Sequence, residues 1–297
     1  MPFAIIQESR IKRLTEMVRV TATIEAASFS RLDVYEQCAK RGFYQYCLKI
    51  PEPDRGPPHK RCPKNLATGA LEWHNDRGTR LHDSMDKYVR GVKDDFDIEL
   101  KDFDVEMTNA RVAYENGLVT AEQMWCYKDD WMPTRWDDWD NTNMRIKLDL
   151  FWVVKGERDD PIEAVAIDLK SGKKFGNEVK HATQLQLYAL GAFKKYPNLE
   201  ICHTEIWYSD FDDVKTVTYR RDQALRNQPE WDKRIEAMLA DTIFEARASE
   251  HNCKYCPYKH KDDGGTGDCE TPHRYQHVAV PSAKTTKAKK GSRSVAG

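Results

Sequence analysis

The sequence predicts a single α/β domain built around a mixed sheet, and three observations point there. Residues 144–154 and 162–170 have strand character, the first alternating apolar and polar side chains, the second nearly continuous in apolar ones. Residues 178–196, which follow, repeat apolar side chains at helical spacing. The elements run helix, three strands, helix, two strands, helix, an order that lays helices on a sheet.

Each element has its own warrant. Residues 1–27 are mixed and read as partly helical. Residues 28–46, SFSRLDVYEQCAKRGFYQY, carry apolar and aromatic side chains at helical spacing, with Ser30 as the expected N-cap. Residues 50–65 are punctuated by Pro and Gly and form a loop. In residues 71–92, Leu81, Met85, Tyr88 or Val89, and Val92 share one helical stripe, and the helix is expected only past Gly78. Residues 118–128 are rich in strand formers, and 129–143 make a Trp- and Asp-rich loop. In 144–154, Ile146, Leu148, Leu150 and Trp152 fall on one face and Arg145, Lys147 and Asp149 on the other. Residues 200–209 and 214–220 read as strands joined in a hairpin, and 231–246 as a helix. The tail 281–297 lacks core-forming residues and carries Lys284, Lys287, Lys289, Lys290 and Arg293, so disorder is expected there, as a solvating tail or a non-specific DNA tether. The expected division is an extension over 1–27, one domain over 28–277 and a basic tail over 278–297.

Charged residues make up 32% of the chain and no apolar run approaches the roughly 18 residues of a membrane span, so a soluble protein without membrane contact is expected. The N-terminal apolar stretch is too short for a signal peptide, which predicts a cytoplasmic location. A net charge of −1 argues against bulk coating of nucleic acid and leaves a local basic cleft open. Eight cysteines without a secretion signal suggest thiols or metal ligands rather than a disulfide framework.

Asp168 and Lys170 leave one face of a buried strand at its end. Such a pair is costly unless paired or used. Alone it reads first as a structural ion pair, and second as a metal ligand beside a catalytic lysine. Asp149 shifts that balance. If its strand neighbours 162–170, the two carboxylates approach each other and repel unless a cation lies between them. Mg²⁺ or Mn²⁺ takes such oxygen ligands and keeps waters for substrate. Lys170 beside it can orient a water or neutralise charge developing on a phosphate.

With Gly78 and His82 spaced as Gly-x-x-x-His, Asp149 on one strand, Asp168-Leu169-Lys170 on the next, and Gln184 and Tyr188 as Gln-x-x-x-Tyr, the chain resembles the PD-(D/E)XK nuclease superfamily from about residue 28 to 270. Within it, the RecB-type branch, with the CRISPR-associated adaptation nucleases and AddB, is the nearer likeness. The resemblance implies a restriction-endonuclease-like core in a bacterial or phage-encoded protein. It implies a metal-dependent deoxyribonuclease, an exonuclease on single-stranded DNA or DNA ends. Its Mg²⁺ or Mn²⁺ would be held by His82, Asp149, Asp168 and the Leu169 carbonyl, with Glu122 as a further candidate. Lys170 would position the attacking water, and Gln184 and Tyr188, one turn apart, would hold DNA. The sequence departs from the family in having Arg145-Ile146-Lys147-Leu148 where a glycine usually precedes the strand aspartate. Trp131, Trp136 and Trp139 lengthen the first hairpin, as a local hydrophobic cap or as a stacking surface for unpaired bases.

Cys253, Cys256 and Cys269 form a Cys-x-x-Cys with a third cysteine, a metal signal with two readings. With His273 they have tetrahedral zinc spacing. Alternatively, the resemblance implies that Cys38 is the fourth ligand of a [4Fe–4S] cluster joining the N- and C-terminal segments. The family's last two cysteines usually lie closer together than Cys256 and Cys269. Cys47 and Cys62 are substitutes for Cys38, and Cys126 and Cys202 read as small core residues. Two rival functions stay open: a catalytically inactive nucleic-acid-binding module with the nuclease fold, and a zinc-stapled DNA-binding protein. Oligomeric state is not legible.

Overall fold

The structure, a computed structural model, describes residues 23–172 and 174–272; the expectations for residues 1–22, His273 and the basic tail lie outside them. A short strand β1 (Ala27–Ser28) leads into α1 (Phe29–Gln37), α2 (Ala39–Gly42) and a π-helical turn (Phe43–Cys47). After a loop come α3 (His74–Val89), a 3₁₀ segment (Ile98–Phe103) and α4 (Asp104–Glu115). The sheet strands are β2 (Val119–Tyr127), β3 (Pro133–Thr134), β4 (Met144–Glu157), β5 (Asp160–Lys170), β6 (Ile201–Tyr208) and β7 (Asp213–Arg220), with α5 (Glu178–Lys195) between β5 and β6. α6 (Arg221–Leu225), α7 (Gln228–Leu239) and α8 (Glu250–Cys253) follow.

The sheet is mixed and mostly antiparallel, as expected, in the order β3-β2-β4-β5-β6-β7, with β1 pairing parallel to β4. Only β5 and β6 pair parallel along the main path, because α5 carries the chain back over the sheet between them. Helices cover both faces. Leu185, Leu190 and Phe193 of α5, Leu32 of α1 and Trp231 of α7 pack into the larger core on one face. Leu81, Met85 and Val89 of α3 and Met107 and Ala110 of α4 pack into a smaller core on the other.

Several boundaries differ from the sequence reading, each for a local reason. The cap of α1 is Ser28, whose hydroxyl accepts from Arg31 N, not Ser30. α3 starts at His74 and runs through Gly78. Gly78 faces the end of β5, where an added Cβ would meet Ser171 Oγ at 3.4 Å, an ordinary contact. Val92 lies beyond that helix and is exposed. α7 ends at Leu239, not at 246, because the Asp241 carboxylate takes the N–H groups of Ile243 and Phe244. Residues 98–115 were not read as helical, although Leu100, Phe103, Met107, Ala110 and Ala113, all buried, repeat at helical spacing.

The alternation read for β4 holds only in part. Ile146 and Leu148 join the larger core, Leu150 the smaller one, and Phe151 and Val153 the larger again. The register with β2 is the same on both sides of this slip, Gln123↔Leu148 and Ala121↔Leu150. The two residues at the slip are Asp149 and, across from it, Glu122, whose φ of 53° is uncommon for a side-chain-bearing residue.

Candidate functional site

The β4–β5 ladder runs from Glu157↔Asp160 to Leu150↔Ile167. One step further, Asp149 stands across from Asp168, and there a side chain takes over: Leu169 N–H donates to Asp149 Oδ2 at 2.7 Å. N–H and C=O of one strand residue point to the same edge, so the Leu169 carbonyl faces this gap as well. The other Asp149 oxygen lies 2.9 Å from His82 Nδ1, delivered by α3. Burial alone would lower the His82 pKa, but the hydrogen bond to Asp149 and the charges of Asp149 and Asp168 outweigh it and raise it. Glu122 completes the group. One donor atom each from His82, Glu122 and Asp149 lie within 4.8 Å of one another. Donors around an octahedral Mg²⁺ lie about 2.9 Å apart when adjacent and about 4.2 Å when opposite, so the group fits a hard divalent cation after small adjustments. Glu122 is ion-paired with the exposed Lys147, a contact such a cation would replace.

Asp168 is 3% exposed and follows Ala164 and Ala166 onto the α5 side of the sheet. Its Oδ1 accepts from Tyr188 OH at 2.8 Å and from Gln184 Nε2 at 3.0 Å. Gln184 Nε2 also donates to Tyr188 OH at 2.5 Å. Asp168 Oδ2 lies 2.6 Å from Lys170 Nζ, yet no hydrogen bond of normal geometry reaches it. A buried carboxylate oxygen so placed is one that a bound cation would satisfy. Burial opposes the charge on Lys170, but Asp168 and then Asp149 outweigh it, and its pKa is raised. The amine therefore stays an ammonium, a donor and a fixed positive charge rather than a base. Gln184 and Tyr188, expected to hold DNA, are 8% and 4% exposed, and both donate to Asp168.

Two supports were not read from the sequence. Arg77 and Arg80 of α3 share Glu99, and reach Asp210 and Asp97 respectively, which fixes the helix that carries His82. His181, one turn before Gln184 on α5, lies 2.7 Å from Tyr208 OH through Nδ1. Its position three residues from Gln184 was the available signal.

The PD-(D/E)XK nuclease superfamily matches residues 26–260, most of the chain. The chain belongs to that superfamily. Membership of the RecB-type branch is not carried by this match. No curated protein is similar to the sequence. Among solved structures, 22 chains match, including "Crystal structure of SSO0001", at 13% identity and a TM-score of 0.37 over 86% of this chain and 94% of that one. PD-(D/E)XK proteins are generally nucleases that use Mg²⁺ or Mn²⁺, so this chain is an enzyme of the nuclease kind with an acidic site suited to such an ion. Among the described residues, no helix is long and apolar enough to cross a membrane.

Away from that site, Cys38, Cys253, Cys256 and Cys269 line one small cavity with Lys40, Arg41 and Lys259. Cys38 sits where α1 breaks, in extended backbone at φ −160°, and its Sγ accepts from Arg247 N at 3.4 Å. Burial pushes up the thiols of Cys253, Cys256 and Cys269. Neither Cys47 nor Cys62 lines the cavity, and Cys126 and Cys202 are core residues. Of the hairpin tryptophans, Trp131 is 2% exposed and donates to Asp232 Oδ1 at 2.6 Å, while the Arg145 guanidinium lies over the rings of Trp136 and Trp139.

Proposed function

We propose that the chain is a Mg²⁺- or Mn²⁺-dependent deoxyribonuclease that hydrolyses phosphodiesters in single-stranded DNA or at DNA ends. One observation carries the reading: His82, Glu122 and Asp149 converge at the open end of the β4–β5 ladder, beside a buried Asp168–Lys170 pair. Bound there, a divalent cation would supply Lewis-acid charge and a water of lowered pKa. The Asp168 oxygen facing Lys170 and the Leu169 carbonyl extend the ligand set of His82, Glu122 and Asp149. In the hydrolysis, a water oxygen forms the new bond to phosphorus, the bond to the leaving oxygen breaks, and that oxygen takes up a proton. Lys170, held cationic by Asp168, orients the water and offsets charge building on the non-bridging oxygens. Gln184 and Tyr188 act through Asp168 as positioning residues, which fixes one ligand oxygen before substrate arrives.

The reading is tested by incubating end-labelled single- and double-stranded DNA with and without Mn²⁺. The wild-type chain should cut only with the ion, and Asp149→Ala and Asp168→Ala should each abolish cutting while leaving a cooperative unfolding transition. Near-normal cutting by either variant removes that residue from the site.

In the same reading Cys38, Cys253, Cys256 and Cys269 hold a [4Fe–4S] cluster. Their shared cavity, its basic lining and the N–H directed at Cys38 support this, since hydrogen bonds and positive charge stabilise a thiolate-bound cluster.

A further inference from the structure

Beyond the strand ends at Lys170 and Tyr208 stands a constellation that the hydrolytic chemistry does not use. β5 ends at Lys170, in register with Tyr208 at the end of β6. The turns leaving these two strand ends bring Phe175 and Phe211 together edge to face, with ring centroids 5.5 Å apart and planes at 87°. Both rings stand well out in solvent, 66% and 40% exposed. The Lys174 ammonium lies over Phe175, Phe211 and Tyr208 at 5.8, 5.9 and 5.4 Å, and Asp213 pins it there.

Single exposed apolar residues are ordinary on protein surfaces. Here two rings from separate turns meet around a fixed cation, beside the strand end that carries Lys170. Their exposed surface gains nothing from folding. An aromatic ring with an open face stacks a nucleobase, and a neighbouring cation favours the phosphate that follows it. Within a duplex each base face is covered by the next base pair, so only an unpaired or terminal base can lie on such a platform. Trp136 and Trp139 are poorer candidates, because their loop carries Asp137, Asp138 and Asp140, which repel a phosphate.

We infer that Phe175 and Phe211, with Lys174, form a base-stacking subsite for single-stranded nucleic acid at the mouth of the acidic site. The nucleotide beside the scissile phosphate is then unpaired. The inference rests on reading that acidic site as the hydrolytic centre.

The test is fluorescence anisotropy without divalent cation, using the full chain, a labelled oligothymidine strand and a blunt duplex. The double variant Phe175→Ala, Phe211→Ala should bind the single strand about tenfold more weakly, as expected for a lost base stack, and the duplex almost unchanged. Phe175→Tyr, Phe211→Tyr should bind like wild type, because the ring face is kept. An abasic strand should bind the wild-type chain as weakly as oligothymidine binds the alanine variant, a comparison that needs no folded variant. Equal affinity of wild type and alanine variant for oligothymidine, equal losses on strand and duplex, or no penalty for the abasic strand would each overturn the inference. Failure of the nuclease reading shows separately, as wild-type protein that binds the strand but releases no product with Mn²⁺.

Discussion

Replacing Tyr188 by Phe keeps the buried ring and deletes one oxygen. That oxygen donates to Asp168 at 2.8 Å and accepts from Gln184 at 2.5 Å. A hydrogen bond to a charged group contributes roughly 1.5–3 kcal/mol and one between neutral groups roughly 0.5–1.5 kcal/mol. Loss of both without relaxation would cost about 2–4.5 kcal/mol. Gln184 still reaches Asp168 at 3.0 Å, which retains part of the network, so about 2 kcal/mol is expected. Urea denaturation should show a lower midpoint at unchanged slope. Asp168 would also be less firmly held, and half-maximal cleavage should need more Mn²⁺. In an Asp168→Asn background the hydroxyl meets a neutral amide, so the same change should cost less, with a coupling of about 1 kcal/mol. A Tyr188→Phe protein with the wild-type midpoint and Mn²⁺ dependence would refute the assignment of this hydroxyl to positioning Asp168.

Lys170→Ala should lose cleavage yet keep Mn²⁺ binding by calorimetry, because its ammonium sits on an Asp168 oxygen that a cation can then use; lost Mn²⁺ binding would make Lys170 a structural partner instead. Burial, and then the positive charges of Lys170 and Lys180, lower His181 from 6.5 to about 4. Neutral in the folded state and protonated more readily when unfolded, His181 contributes stability that is full above pH 6.5 and lost as pH falls towards 4. His181→Gln should therefore show a shallower loss of stability between pH 7 and 4 in urea titrations. Identical pH profiles would show that His181 is not held neutral. Anaerobically purified protein should be brown with stoichiometric iron, and Cys38→Ser should bleach it and destabilise the whole domain. Colourless protein with one zinc per chain and no response to Cys38→Ser would replace the cluster with zinc.

The elements around the site were legible because their patterns are strong: β5 is apolar almost throughout, and α5 repeats apolar side chains at helical spacing and is buried all round from Leu187 to Phe193. Asp168 and Lys170 fall where the β5 period places them, whereas Asp149 sits where the alternation of β4 slips. What the sequence concealed depends on tertiary contact. The positive φ of Glu122 has no local signature, so its approach to His82 and Asp149 was legible only through family likeness. Gln184 and Tyr188 were located correctly on one helix face, but helical spacing does not say whether that face meets substrate or a carboxylate. Gly78 looked like a helix breaker because propensity counts its lost entropy and not the packing of Leu81, Met85 and Val89 that holds the helix on the sheet. α4 was overlooked although its buried stripe of Met107, Ala110 and Ala113 has helical spacing.

The pairing of early and late segments has a consequence for how the protein is made. β1 must wait for β4, and Tyr35, Tyr44 and Cys38 find their partners at Ala237, Asp268 and Arg247. An emerging chain on the ribosome therefore holds its first helices without their packing surfaces until nearly all of the described residues have been synthesised. Contacts of such large sequence separation slow folding and leave apolar faces of α1 open in the interval. Recombinant yield should then respond to the rate of translation and to chaperone supply more than to the stability of the finished fold.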